Sequence, residues 1–359
     1  MNRAPADNPS VRDTIAPAGA STALSLFRFS LALTVMGEHL SALEPPQTGR
    51  LAVEAFFCIS GFLISMVATT RYAGRPAAFL ANRFLRIYPT YWACLAVALV
   101  VVTVLPSAAT LHPSLRVPDM PGDWMANLAV FGLTQQTVSR LLPAAWSLHT
   151  ELWFYLLIGL LTATRPRLTF VLLPVTLLVS AYCAFWWAPV PFYGTPVGNA
   201  DAFFIGSSAY LLRHRLRPRY PFLVALVGLA AFEFLAWGPV LRSQTMNEFL
   251  GAPVTAVLLL GLWNSPLDAA LPRLRSTGVL LGRLSYPLFL LHWPLGGLAI
   301  GAAGLRPGPA LFLVAGAMSL AVSVLVLRFI EDPLVRVRAT IRESSPRPLL
   351  TETVSAVSD

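Results

Sequence analysis

Apolar segments of near-spanning length recur through almost all of this 359-residue chain, and few folds can absorb them. In hydrocarbon each backbone N–H and C=O must find its partner within the segment, so such runs are expected to be helices packed into a bundle. Apolar residues make up 56% of the chain and charged residues 12%, against about 25% charged in soluble domains. Ten spans are predicted, at about 22–41, 51–69, 88–106, 146–163, 168–187, 200–212, 220–238, 250–264, 278–300 and 309–330. The fold class is therefore an all-α integral-membrane bundle of about ten transmembrane helices occupying residues 21–338. Residues 1–20, polar and without an apolar core, read as a disordered cytoplasmic tail rather than a cleaved signal peptide. Residues 339–359 read as a second such tail.

Arginine sets the orientation. Arg71, Arg75, Arg83 and Arg86 follow the second span, Arg165 and Arg167 the fourth, and Arg213, Arg215, Arg217 and Arg219 the sixth. Arg273 and Arg275 follow the eighth, and Arg336, Arg338, Arg342 and Arg347 the tenth. The opposite loops hold only Arg50, Arg116, Arg140, Arg242 and Arg306. Both termini are thus expected in the cytoplasm. The apolar stretch 124–133 is too short to cross and is read as a re-entrant or interfacial element under the outer leaflet. The sixth and eighth spans are short, which implies tilt, interruption or extension into flanking residues.

The net charge of +9 does not indicate a nucleic-acid partner, because the cations are all Arg and cluster in alternate loops as topology requires. Cys58, Cys94 and Cys183 lie in apolar segments, fit no metal spacing and read as small buried hydrophobes. No HxxH or HxxxH spacing occurs among the five His, so no metal site is expected.

Ionisable groups inside apolar segments carry the functional signal. Arg28 and His39 lie eleven residues apart in the first span, close to three helical turns, so they share a face with about 16 Å between them along the axis. Depth sorting puts Glu38, His39, Glu54, Glu151 and His292 near the outer end. That inventory suits general-base work on a hydroxyl, with a carboxylate orienting an imidazole. Arg28, Arg83 and Arg86 sort to the inner side. The last two are three residues apart on one helix face and suited to bidentate phosphate binding, as for an anionic donor arriving from the cytoplasm. Structural roles compete with each of these. Arg83 and Arg86 serve equally as positive-inside anchors, Glu54 and Glu151 as ion-pair partners holding the bundle, and Glu38 as a solvated helix end. His292 serves as a packing residue and His149 as an interfacial one.

Six motifs in order resemble the acyltransferase-3 family of integral-membrane O-acyltransferases. They are Arg28 with His39; Glu54-Ala55-Phe56-Phe57 leading to Ser60-Gly61-Phe62-Leu63; Arg83 through Pro89; and Trp146-Ser147-Leu148 with Glu151, Phe154 and Tyr155. Ser285-Tyr286-Pro287 with Leu291-His292, and Glu331-Asp332-Pro333, complete the set. Glu54 stands where Asp is usual, and His149-Thr150 replaces a small pair. The resemblance implies transfer of an acyl group, commonly acetyl, from cytoplasmic acyl-CoA to a hydroxyl, in a bacterial inner membrane. It implies acyl-CoA as a donor substrate with no permanently bound cofactor, and the bilayer and a glycan or other hydroxyl acceptor as partners. His39 is then the general base, with a covalent acyl-His39 as a variant. Glu151, and after it Glu54, orients the base or acceptor, and Arg28 holds the donor or stabilises charge on the thioester oxygen. Arg83, Arg86 and Tyr88 fall to the donor, and Trp146, His149, Tyr155 and His292 to the acceptor. Acylation of a small secondary metabolite such as a macrolide, a transporter without chemistry, and a subunit of a polysaccharide export complex are the alternatives.

Overall fold

The computed structural model describes residues 21–343, apart from 46, 136, 162–164, 166–167, 186–193 and 239–243. The described residues form helices, with no strand among them. Ten helices of thirteen residues or more stand at the ten apolar segments. They are α1 (Thr22–Leu40), α2 (Gln47–Thr70), α3 (Pro76–Val104), α5 (Trp146–Leu161), α6 (Leu168–Phe185), α7 (Ala200–Leu212), α8 (Pro221–Trp237), α9 (Gln244–Trp263), α11 (Leu274–Ala303) and α12 (Pro309–Val326). Two short helices, α4 (Pro121–Ala129) and α10 (Leu267–Ala270), lie between them, and α12 passes through a π-turn (Leu327–Glu331) into α13 (Asp332–Glu343). Among the described residues, four helices are long and apolar enough to cross a bilayer: α2, α3, α11 and the run from Pro309 to Arg342. The N-terminal tail and residues 344–359 lie outside the described residues, whereas 339–343 are helical and not tail.

Local chemistry fixes the helix ends. The Ser21 hydroxyl accepts the Leu24 N–H at 3.1 Å, capping α1. Proline occupies the first turn of α3, α4, α8 and α12, where its missing N–H costs nothing. The Glu38 carboxylate accepts the Gly49 N–H, satisfying an orphan donor in the first turn of α2 with a favourable charge. Glu38 therefore serves the α1–α2 connection.

Helix α3 begins at Pro76, not at 88, and so contains both Arg83 and Arg86. The two guanidinium groups depress local hydropathy without breaking the backbone, which is why the apolar pattern starts late. Helix α9 reaches back to Gln244, lengthening the short eighth segment. Helix α7 stays at thirteen residues, or about 20 Å. It tolerates this because residues from Ala200 to Tyr210 are buried in protein almost throughout.

The 124–133 stretch departs from α3 and comes back to the same place. Arg140 donates from its backbone to Ser114 O (2.7 Å) and from its side chain to Ser114 Oγ (3.0 Å), while Arg116 Nε donates to Ser139 Oγ (3.3 Å), so the outgoing and returning limbs are tied together. At its tip, Tyr88, Tyr91 and Trp92 of α3 donate to the carbonyls of Ala129 (2.6 Å), Asn127 (2.6 Å) and Leu128 (2.9 Å). The tip thus sits beside the middle of α3. Three of its backbone carbonyls are thereby satisfied by α3 side chains.

Helices α1 and α11 run parallel in contact: Thr22 meets Gly278, Ser25 meets Gly282 and Leu40 meets Gly296. Helices α2 and α7 approach more closely still. A Cβ on Gly61 would overlap the Phe203 carbonyl, and one on Gly206 the Cys58 carbonyl, so glycine sets this separation. Cys58 and Cys94 are buried among these helices as small hydrophobes; the Cys183 side chain lies outside the described residues.

Gly61→Leu should lower stability by about 1–3 kcal/mol or more through overpacking. Gly122→Ala, where the added Cβ meets open space, should change little. Thermal melts in detergent check both, and a Gly61→Leu protein melting with the wild type would contradict the close α2–α7 approach.

Candidate active site

Five helices converge on a cavity of about 140 Å³ inside the bundle. Helix α1 contributes Arg28, α2 Ser60, α3 Arg83 and Arg86, α5 Glu151 and Tyr155, and α11 Ser285, Tyr286 and Phe289. Glu151 Oε1 accepts from Ser60 Oγ (2.6 Å) and Tyr155 Oη (2.7 Å). Arg28 lies within electrostatic reach of Glu151, Tyr155, Arg86 and Glu331, and no described residue hydrogen-bonds its guanidinium. Arg83 stacks over the rings of Phe79 (5.7 Å) and Tyr155 (5.9 Å), and its Nε is buried without a partner. Arg86 donates to Glu331 Oε2 at 2.7 Å.

Glu331 stands behind Arg86, outside the cavity lining. It sits in the π-turn that ends α12, a distortion that rotates one carboxylate into the bundle and often marks a functional position. Besides Arg86 it meets Arg283 Nε at 3.7 Å and accepts from Thr90 Oγ1 at 3.3 Å. The motif Glu331-Asp332-Pro333 is visible in the sequence, but the turn that aims Glu331 inward is not.

His39 stands apart from this cavity, three turns along α1. Its ring lies nearly parallel to that of His292, 5.5 Å away with 6° between planes, and 4.5 Å from Trp293. His112 packs on the other edge of this group, 4.6 Å from Trp293. His292 is fully buried, and its Nδ1–H donates to Phe289 O at 2.7 Å. In the neutral ring this leaves Nε2 as the acceptor, buried with no partner among the described residues. No described residue hydrogen-bonds the His39 ring. His112 comes from a loop with no helical period, so nothing in the sequence links it to His39.

Phe289 divides the two regions. It lines the cavity, packs against Phe56 (5.9 Å between centroids) and touches His292 (6.1 Å). The single outer layer expected for the carboxylates and histidines is thus replaced by two compartments. His39 and His292 share one; Glu151 shares the other with the arginines. The cause is the 124–133 excursion. Its tip is held beside mid-α3, and Gly132 N–H donates to His149 Nδ1 (3.0 Å), so α5 starts beside mid-α3 and brings Glu151 to the cavity that Arg28 lines.

The remaining predicted site residues are elsewhere. Tyr88 is bonded to Ala129 O, and His149 to Gly132. Trp146 is buried against Phe57 (6.4 Å between centroids). Glu54 is buried on α2, within electrostatic reach of Cys58. Among the described residues, no three His, Cys, Asp or Glu side chains come together as a metal-binding group.

A helical membrane protein in which one helix reaches both a guanidinium-lined cavity and a separate imidazole cluster is a class defined by polar groups inside the bundle. The acyltransferase domain model of the acyltransferase-3 family matches residues 16–328, and the chain belongs to this family of membrane acyltransferases. It is 26% identical over 304 residues to the exopolysaccharide production protein ExoZ of Rhizobium meliloti (strain 1021), covering 80% of this chain and 90% of ExoZ. It is 27% identical over 272 residues to BcsY of Komagataeibacter xylinus, whose name provisionally makes it a membrane-bound transacylase, covering 68% of this chain and 66% of BcsY. No solved structure matches.

Removing Glu331 should strand the Arg86 guanidinium in the bundle. Glu331→Gln should destabilise the protein by about 3 kcal/mol or more, and adding Arg86→Met should recover part of that loss. A thermal double-mutant cycle tests the pair; additive losses would show that the two side chains are not coupled.

Proposed function

We propose that this chain takes an acyl group, commonly acetyl in the resemblance, from cytoplasmic acyl-CoA and places it on a hydroxyl of an exported glycan. The observation that carries this reading is the placement of Arg28 and His39. One α1 face presents a cation to the arginine cavity and a base to the imidazole cluster, with Phe289 between them. An extended thioester arm suits that arrangement, because it joins an anionic head to a reacting carbon many ångströms away. Ten crossings of a bacterial inner membrane, with both termini cytoplasmic, put the arginines on the donor's side. The name of ExoZ favours a polysaccharide acceptor.

In this mechanism a ring nitrogen of His39 takes the proton of the acceptor hydroxyl as its oxygen attacks the thioester carbonyl carbon. The resulting tetrahedral oxyanion collapses, the C–S bond breaks, and the departing thiolate recovers the proton from the imidazolium. His292, stacked on His39, keeps the ring in place. Arg28 holds the donor arm in the cavity, and Glu151, tied by Ser60 and Tyr155, holds Arg28 by its charge. Arg83 binds donor phosphate, and Arg86, paired with Glu331, adds its charge from within the cavity. Tyr88 and His149 act on the site through the excursion that they anchor.

His39→Ala and His39→Gln should each abolish transfer while leaving abundance and CoA binding near wild type, since an amide cannot take up the proton. The measurement is CoA thiol release with acetyl-CoA and the host polysaccharide, paired with CoA titration. Retention of a tenth of wild-type turnover would remove His39 from the base role.

A further inference from the structure

The cavity is too small for the whole donor. Its volume is about 140 Å³, whereas sites that enclose drug-sized ligands run to about 300–1,000 Å³. A nucleotide thioester with its arm in this cavity must leave its phosphates outside. Arg83 lines this cavity, and α13 packs on the stretch of α3 that carries it. This helix is held against α3 by Asn82, whose Nδ2 donates to Arg338 O (3.4 Å) and whose Oδ1 accepts from Arg338 (3.4 Å), and by Arg75, which donates to Ile341 O (3.2 Å).

Arg83, Arg86 and Glu331 are all within electrostatic reach of Arg338. Arg338 and Arg83 each have a buried Nε with no hydrogen-bond partner. Arg71 adds a further cation near Arg83. Glu331 is already engaged by Arg86 and Arg283, so it offsets the remaining cations only in part. Guanidinium groups that crowd together with unused donors are a recognition site for a tetrahedral anion.

We propose that Arg338 on α13 and Arg83 on α3 close on one phosphate group at the mouth of the cavity, making the terminal helix part of the donor site. The ligand chemistry is a phosphate mono- or diester. The inference rests on the acyl-CoA reading for its source and on the arginine geometry for its place.

The test uses the full chain in phosphatidylcholine nanodiscs, titrated with CoA, with pantetheine, which lacks phosphate, and with inorganic pyrophosphate. Arg338→Gln should weaken CoA and pyrophosphate by roughly tenfold or more, the scale of one lost charge-assisted bond, and leave pantetheine unchanged. Arg338→Lys should recover part of the loss. Arg336→Gln, an exposed neighbour on the same helix, should match wild type. Arg338→Gln binding CoA as wild type does, or losing pantetheine equally, overturns the proposal. A wild-type protein that binds pyrophosphate through Arg338 but not CoA would sustain the phosphate site and refute the acyl-CoA donor. Repeating the titration in phosphatidylglycerol discs identifies the source. Weaker CoA binding in wild type alone supports a site that a lipid headgroup also fills; unchanged binding supports a site reserved for the donor.

Discussion

The structure depends on holding guanidinium groups inside an apolar bundle. A charge within hydrocarbon costs several kcal/mol even on permissive insertion scales, so each must be offset. Arg86 is offset by Glu331, at 2.7 Å, and Glu331 reaches it only because α12 ends in a π-turn. Arg83 rests on the faces of Phe79 and Tyr155. Arg28 has the charge of Glu151 across the cavity, and Glu151 is fixed by Ser60 and Tyr155. These offsets leave an excess of cation around the cavity, which is what an anionic substrate would complete.

The second constraint is the excursion between α3 and α5. Three α3 side chains bind its carbonyls, and Asn127 holds the returning limb, donating to Ser139 O (2.8 Å) and accepting from Leu141 N–H (3.0 Å). By starting α5 beside mid-α3 it places Glu151 opposite Arg28. Tyr88 and His149 are accordingly polar groups of the scaffold that position the site without lining it.

Much of this was legible in the sequence, and the limits have physical causes. Helix positions follow from apolar runs, and Arg28 with His39 stands out because ionisable groups in such runs are costly. The start of α3 was hidden because the two arginines that line the cavity from this helix also depress hydropathy. The level of Glu151 was hidden because it depends on a hydrogen-bonded excursion with no periodic pattern. His112 joins His39 only through tertiary packing on Trp293. Arg338 reads as one more positive-inside residue until α13 is seen folded against Asn82. Sequence pattern reports local burial; the grouping of polar side chains across five helices is a property of the packing.

The most direct test of the two-compartment account is a cryo-electron-microscopy map of the protein in nanodiscs with a non-hydrolysable thioether analogue of acetyl-CoA. The account predicts phosphate density at Arg83 and Arg338, the arm passing Arg28 and a displaced Phe289, and the acyl carbon beside His39. An acyl group ending at Glu151 with Phe289 unmoved, or a nucleotide bound away from the arginines, would contradict it.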